Sequence, residues 1–166
     1  MNTPFVAVLM GSDSDLPVMQ ATLDLLKTLE VPFEVRISSA HRTPEATARY
    51  VKEADARGCG VFIAAAGLAA HLAGAVAANT LKPVIGVPME GGPLNGMDAL
   101  LSTVQMPGGI PVACVAIGKA GAKNAAYLAA QILGLGDAAL AQRLSSDRQA
   151  KAEAILAKAN VLQHQP

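Results

Sequence analysis

The chain has no tryptophan, only three phenylalanines and two tyrosines, two cysteines, and charged residues at just 16% of its 166 positions. Apolar residues make up 52%, largely alanine, valine and leucine, so small and aliphatic side chains must fill the core. Globular domains usually carry charge at about 25% of positions. The shortfall predicts that part of the surface is buried against further copies of the chain, in a homo-oligomer.

Cys59 and Cys114 stand far apart, with no Cys-x-x-Cys and no paired histidine nearby. Both read as small core residues in reducing surroundings. The three histidines, His41, His71 and His164, show neither His-x-His nor His-x-x-x-His spacing, so no metal site is expected; His164, in the tail, is given no role. Thirteen Lys plus Arg balance thirteen Asp plus Glu. No overall basic field exists to hold nucleic acid or an anionic membrane surface. Met1 to Pro4 forms no basic and apolar leader, which favours a cytoplasmic protein over an exported one. The uncharged stretch 58–81 is long enough to raise the question of a membrane span. Gly60, Gly67 and Gly74 interrupt it and His71 lies within it, so strand, glycine turn and helix is the expected reading, and no membrane partner follows.

What is present is a βα rhythm. FVAVLM over 5–10 is a short continuous apolar run ending at Gly11, the pattern of a strand buried on both faces of a parallel sheet. Asp15 can cap the next segment and Pro17 falls in its first turn; Met19, Leu23, Leu26 and Leu29 then recur at helical spacing. The unit repeats: a strand over 33–37, Thr43 as N-cap with Pro44 at the first helical position, and a helix to about Arg57. Further strands are predicted at 61–65, 84–87 and 112–117, with helices over 69–79, 120–133 and, after Gly134-Leu135-Gly136, about 137–162. That last helix looks amphipathic, suited to packing across a neighbouring subunit. The expectation is a single α/β domain spanning 1–166, three-layered and doubly wound around a mostly parallel sheet of flavodoxin type, with a C-terminal helical extension.

In such a sheet the loops at the carboxyl ends of the strands hold the ligand. Gly11-Ser12-Asp13-Ser14-Asp15 follows the first strand and opens a helix, where free N–H groups and the helix dipole favour an anion. It lacks the glycines of a dinucleotide loop and the Gly-Lys-Ser/Thr of a P-loop. Its carboxylates would repel bare phosphate but accept hydrogen bonds from ribose hydroxyls, which points to a sugar phosphate: Ser12 and Ser14 on phosphate, Asp15 on ribose. The same residues would also serve simply as helix caps. Ser38-Ser39-Ala40-His41-Arg42-Thr43-Pro44 brings an imidazole able to act as acid or base beside a guanidinium able to grip phosphate; a plain surface histidine is the other reading. His71, in Gly67-Leu68-Ala69-Ala70-His71-Leu72-Ala73-Gly74, faces the crevice or is a satisfied buried group at a helix start. The glycine- and proline-rich segments 89–98 and 106–111 are expected to wall the same crevice.

Taken together, Gly11-Ser-Asp-Ser-Asp15, Ser39-Ala-His-Arg-Thr-Pro44, Ala69-Ala-His-Leu72, Gly86-Val-Pro88 and Gln105-Met-Pro-Gly-Gly-Ile-Pro111 resemble the N5-carboxyaminoimidazole ribonucleotide mutase family of bacterial purine biosynthesis over about residues 5 to 145. The resemblance implies transfer of a carboxylate from the exocyclic nitrogen of an imidazole ribonucleotide to ring carbon 4, with no cofactor and no metal. It implies His41 as the acid, then the base, of the reaction. Ser12, Ser14, Ser39 and Arg42 become the phosphate grip, Asp15 the ribose partner, and the Gly67–Gly74 loop with His71 the border of a carbon dioxide pocket. It also implies a symmetric octamer. The chain departs from the family at Leu68, where a glycine is usual, at Ala73, where proline is usual, and in Glu90-Gly91-Gly92-Pro93. Two alternatives remain: the animal-type aminoimidazole ribonucleotide carboxylases, which use free carbon dioxide and tend to carry lysine where Arg42 stands and a different loop at His71, and a nucleotide-binding homologue silenced through Leu68.

Overall fold

The computed structural model describes residues 4–163, with side chains to residue 159; His164 lies outside them. Five strands, β1 (Phe5–Met10), β2 (Phe33–Ile37), β3 (Cys59–Ala66), β4 (Val84–Pro88) and β5 (Ala113–Cys114), form one sheet in the order β2-β1-β3-β4-β5. Every neighbouring pair is parallel. Around it run α1 (Leu16–Thr28), α2 (Pro44–Ala56), α3 (Leu72–Ala77), α4 (Met97–Val104), α5 (Gly118–Gly134) and α6 (Ala138–Gln163).

Successive strand residues point to opposite faces, and both faces are filled. Val6, Val8, Met10, Val61 and Ile63 pack with Met19, Leu23 and Leu26 of α1 and the alanines 122, 125, 126, 129 and 130 of α5. Ala7, Leu9, Phe62 and Ala64 pack with Tyr50, Val51 and Ala54 of α2 and with α3. Fully burying a valine, leucine or phenylalanine contributes about 1.5–3 kcal/mol, so this double core outweighs any surface term. The alanine face lets α5 lie close to its neighbours: Thr22 in α1 donates to the Ala122 carbonyl at 2.7 Å. At Gly121 a Cβ would stand 1.6 Å from the Ala116 carbonyl oxygen, so only glycine permits that approach.

Strands β1 and β2 and helix α1 fall where the apolar runs place them. Elsewhere the boundaries move. Strand 5 is two residues long, not 112–117, and the alanine-rich helix starts at Leu72, not 69, because 67–71 is spent on a turn with Leu68 at φ +54. Helix α4 was not anticipated, although Met97, Leu101 and Val104 have helical spacing. Its presence puts 105–111 between a helix and a strand, at the amino ends of the strands; Gly109, Ile110 and Pro111 line a hollow with Asn79 and Lys82 there. That segment therefore does not wall the crevice. The 58–81 stretch is strand, turn and short helix, and among the described residues no helix is long and apolar enough to cross a membrane.

Helix α6 is amphipathic only at its start. Leu140 is buried, while Arg143, Leu144 and Asp147 are half-buried; residues 148–159 are exposed all round. Tyr127 donates to Asp147 at 2.6 Å and Arg143 donates to the Leu29 carbonyl at 2.8 Å, fixing the first turns to α5 and to the end of α1. Cys59 is buried as expected, whereas Cys114 is only half-buried.

Candidate active site

The strand order reverses between β1 and β3, and the loops following β1, β2, β3 and β4 meet above that switch point. They enclose an open cavity of about 580 Å³. A larger hollow of about 740 Å³ lies between α5 and α6, but it carries no histidine, and none of the loops after β1, β2, β3 and β4 reaches it.

Each predicted site residue lines the cavity: Ser12, Ser14, Asp15, Ser39, His41, Arg42, Gly67 and His71. Ser12 is the N-cap of a 3-10 turn, Asp13–Asp15, that precedes α1. Its hydroxyl accepts the Ser14 N–H at 3.3 Å, and the Asp15 carboxylate accepts the Ser12 N–H at 3.2 Å, a capping box. Asp15 thus caps backward into the loop; its side chain makes no cap bond to α1. Burial raises the Asp15 carboxyl above the ordinary carboxylate range, with the Ser12 N–H pulling the other way.

The turn carrying His41 is closed by the Thr43 N–H and hydroxyl, which donate to the Ser39 carbonyl at 2.8 and 2.9 Å. Thr43 occupies the N-cap position of α2, yet its hydroxyl serves this turn rather than the helix. Arg42 donates from both its backbone N–H and Nε to the Ser39 hydroxyl, at 3.2 and 3.3 Å, which fixes the start of the guanidinium of this cavity-lining residue. Beneath the turn, Ser38 and Thr47 share a buried hydroxyl hydrogen bond of 2.7 Å that ties the end of β2 to α2.

His71 stands at the N-cap of α3, exposed rather than buried, so the reading as a satisfied core group does not hold. Its ring centroid lies 4.9 Å from that of His41, with the planes at 40°. Two loops separated by a whole βα unit thus place two imidazoles in contact. Among the described residues no three His, Cys, Asp or Glu side chains gather as a metal centre requires.

Met89 and Glu90, from the 89–98 segment expected to wall the crevice, also line the cavity, although neither residue was assigned a role there. The signal was available, since Glu90 is the first charged residue after a strand whose carboxyl end faces the crevice. Leu68, noted as a departure, is in the wall as well.

The AIR carboxylase family matches residues 5–154. The chain is 51% identical over 159 residues to an N5-carboxyaminoimidazole ribonucleotide mutase of Bacillus subtilis, covering 96% of this chain and 98% of that one. It is 60% identical over 134 residues to a phosphoribosylaminoimidazole carboxylase of Ogataea methanolica, covering 81% of this chain and 24% of the other. Among solved structures, Treponema denticola PurE superposes with a TM-score of 0.88 at 33% identity over 97% of this chain and 99% of that one. A family match running nearly end to end, on a sheet whose switch point carries the expected loops, makes this chain a member of the AIR carboxylase family.

Proposed function

We propose that the chain is an N5-carboxyaminoimidazole ribonucleotide mutase, an isomerase that moves the carboxylate from the exocyclic nitrogen to ring carbon 4 in purine biosynthesis. The observation that carries this reading is the His41–His71 contact in a cavity that also holds a serine-rich anion loop and Arg42. The 5′-phosphate is held by Ser12, Ser14, Ser39 and Arg42. Asp15 accepts from the ribose hydroxyls. Gly67 and His71 border the carboxylate.

The chemistry follows from one imidazole acting twice. The N–C bond of the carbamate breaks, its electron pair returns to nitrogen, and protonated His41 supplies the proton, leaving aminoimidazole ribonucleotide and carbon dioxide. Carbon 4 then attacks the carbon dioxide, a C–C bond forms, and neutral His41 takes the proton from carbon 4. Protons balance over the cycle, and the substrate supplies its own one-carbon unit, so the route calls for neither cofactor nor metal. Keeping both fragments in place makes the second step effectively unimolecular. The chain is read as one domain acting in the cytoplasm as a homo-oligomer, an octamer by family resemblance; low charge and exposed Leu94, Met97, Leu101 and Val104 support the oligomer.

The test supplies freshly made N5-carboxyaminoimidazole ribonucleotide and, in parallel, aminoimidazole ribonucleotide with bicarbonate, and follows the 4-carboxy product. Rapid conversion of the carbamate alone is expected. Efficient use of the second mixture at modest bicarbonate would instead assign the carboxylase reaction.

A further inference from the structure

Leu68 has no part in the mechanism above, yet it occupies a costly position. It is 55% exposed, so it contributes little to the core, and it holds φ +54, a region that glycine enters freely and a leucine does not. Such a conformation persists where its surroundings over-determine it, commonly at functional sites. Here the surroundings are specific. Leu68 lies in the same cavity wall as His41 and His71. Its Cδ2 reaches across to the loop after β4, where a Cβ placed on Gly92 would stand only 2.6 Å away. Gly92 is itself at φ +63. The two residues are therefore fitted to each other, one side chain filling the space the other omits, and the leucine bridges the β3 and β4 loops at the edge of the cavity.

The intermediate in the proposed reaction is carbon dioxide, small and uncharged, held only by shape and by the absence of water. Aliphatic surface beside it offers no hydrogen bond to draw water in. We propose that Leu68, seated against Gly92, is a positioning residue that retains carbon dioxide between the breaking of the N–C bond and the making of the C–C bond. This rests on the mutase reading. If carbon dioxide leaves before carbon 4 attacks, the same N–C cleavage and the same proton from His41 yield free aminoimidazole ribonucleotide plus carbon dioxide, and no carboxylated product.

The experiment gives unlabelled N5-carboxyaminoimidazole ribonucleotide to the full chain in ¹³C-bicarbonate with carbonic anhydrase, and measures both label in the 4-carboxy product and the share released as aminoimidazole ribonucleotide, corrected for an enzyme-free blank. Leu68→Gly suits the local backbone and relieves its strain, so the variant is expected to fold. It should raise both quantities about fivefold or more, because the retained pocket now exchanges with solvent. Gly92→Ala, whose Cβ displaces Leu68, should move them the same way, and add little in the Leu68→Gly background. A slower Leu68→Gly enzyme with the wild-type label content and wild-type partition would overturn the proposal, since a merely structural role changes rate without changing the fate of carbon dioxide. Failure of the wild-type chain to make any 4-carboxy product would overturn the mutase reading, and this proposal with it.

Discussion

Burial raises the Asp15 carboxyl, and a carboxylate whose folded pKa lies above its unfolded value costs stability at every pH where it is ionised in the unfolded chain. The cost disappears as pH falls below the ordinary carboxylate range. Asp15→Asn keeps an acceptor for the Ser12 N–H and removes the charge. Thermal melts should therefore show a higher Tm at pH 7, with the gain fading in acid, while steady-state kinetics show KM raised roughly tenfold through loss of charge-assisted ribose bonds. A lower Tm at pH 7 would contradict this. Arg42 is tethered to Ser39 through Nε, an arrangement lysine cannot copy. Arg42→Lys should raise KM roughly tenfold with a smaller change in kcat. Residue types at these loops were legible in the sequence because each chemistry needs a particular functional group just past a strand. The His41–His71 contact was not, since it depends on how two distant turns fold toward each other, and the 89–98 loop was legible as a wall without a role for Glu90.

At the scale of elements, the His41 turn is held between β2 and α2 by the Ser38–Thr47 pair. Thr47→Val leaves a buried hydroxyl without its partner and should cost about 1–3 kcal/mol in denaturant unfolding. A kcat reduced in step would show that the turn has loosened. At Gly121 the Ala116 carbonyl blocks any side chain, so Gly121→Ala must shift α5 from the sheet and should destabilise by about 3 kcal/mol or more. A near-neutral result would contradict the packing described. Long apolar strands and proline-marked helix starts were readable because local pattern and tertiary burial agree there. The short β5, the late start of α3 and the unanticipated α4 were not. Their limits come from turn geometry at Leu68 and Gly96 (φ +86) and from packing, which a propensity argument does not contain.

For the whole molecule, the apolar surface is uneven. Leu94 and, along α4, Met97, Leu101 and Val104 are about half exposed at helical spacing, and residues 148–159 of α6 are exposed, with Lys151 reaching back over the Tyr127 ring. The amphipathic tail read from sequence is thus half realised, its outer part exposed as far as residue 159. A homo-oligomer covers such surface. Light scattering should give a mass several times the 16.9 kDa chain, eight times for the octamer, and Leu101→Glu should lower it while leaving the circular dichroism unchanged. A monomer at micromolar concentration would contradict the oligomer, though not the fold.

Proton transfer by His41 is tested by comparing wild-type and His41→Asn chains for turnover of N5-carboxyaminoimidazole ribonucleotide and, by calorimetry, for binding of aminoimidazole ribonucleotide. Asparagine keeps polarity and approximate size but cannot shuttle the proton. Binding is expected to be retained within a few fold while kcat falls about 10²–10⁴-fold. A His41→Asn enzyme that keeps the wild-type kcat would show that the crevice, however well it holds the nucleotide, does its proton chemistry through some other group.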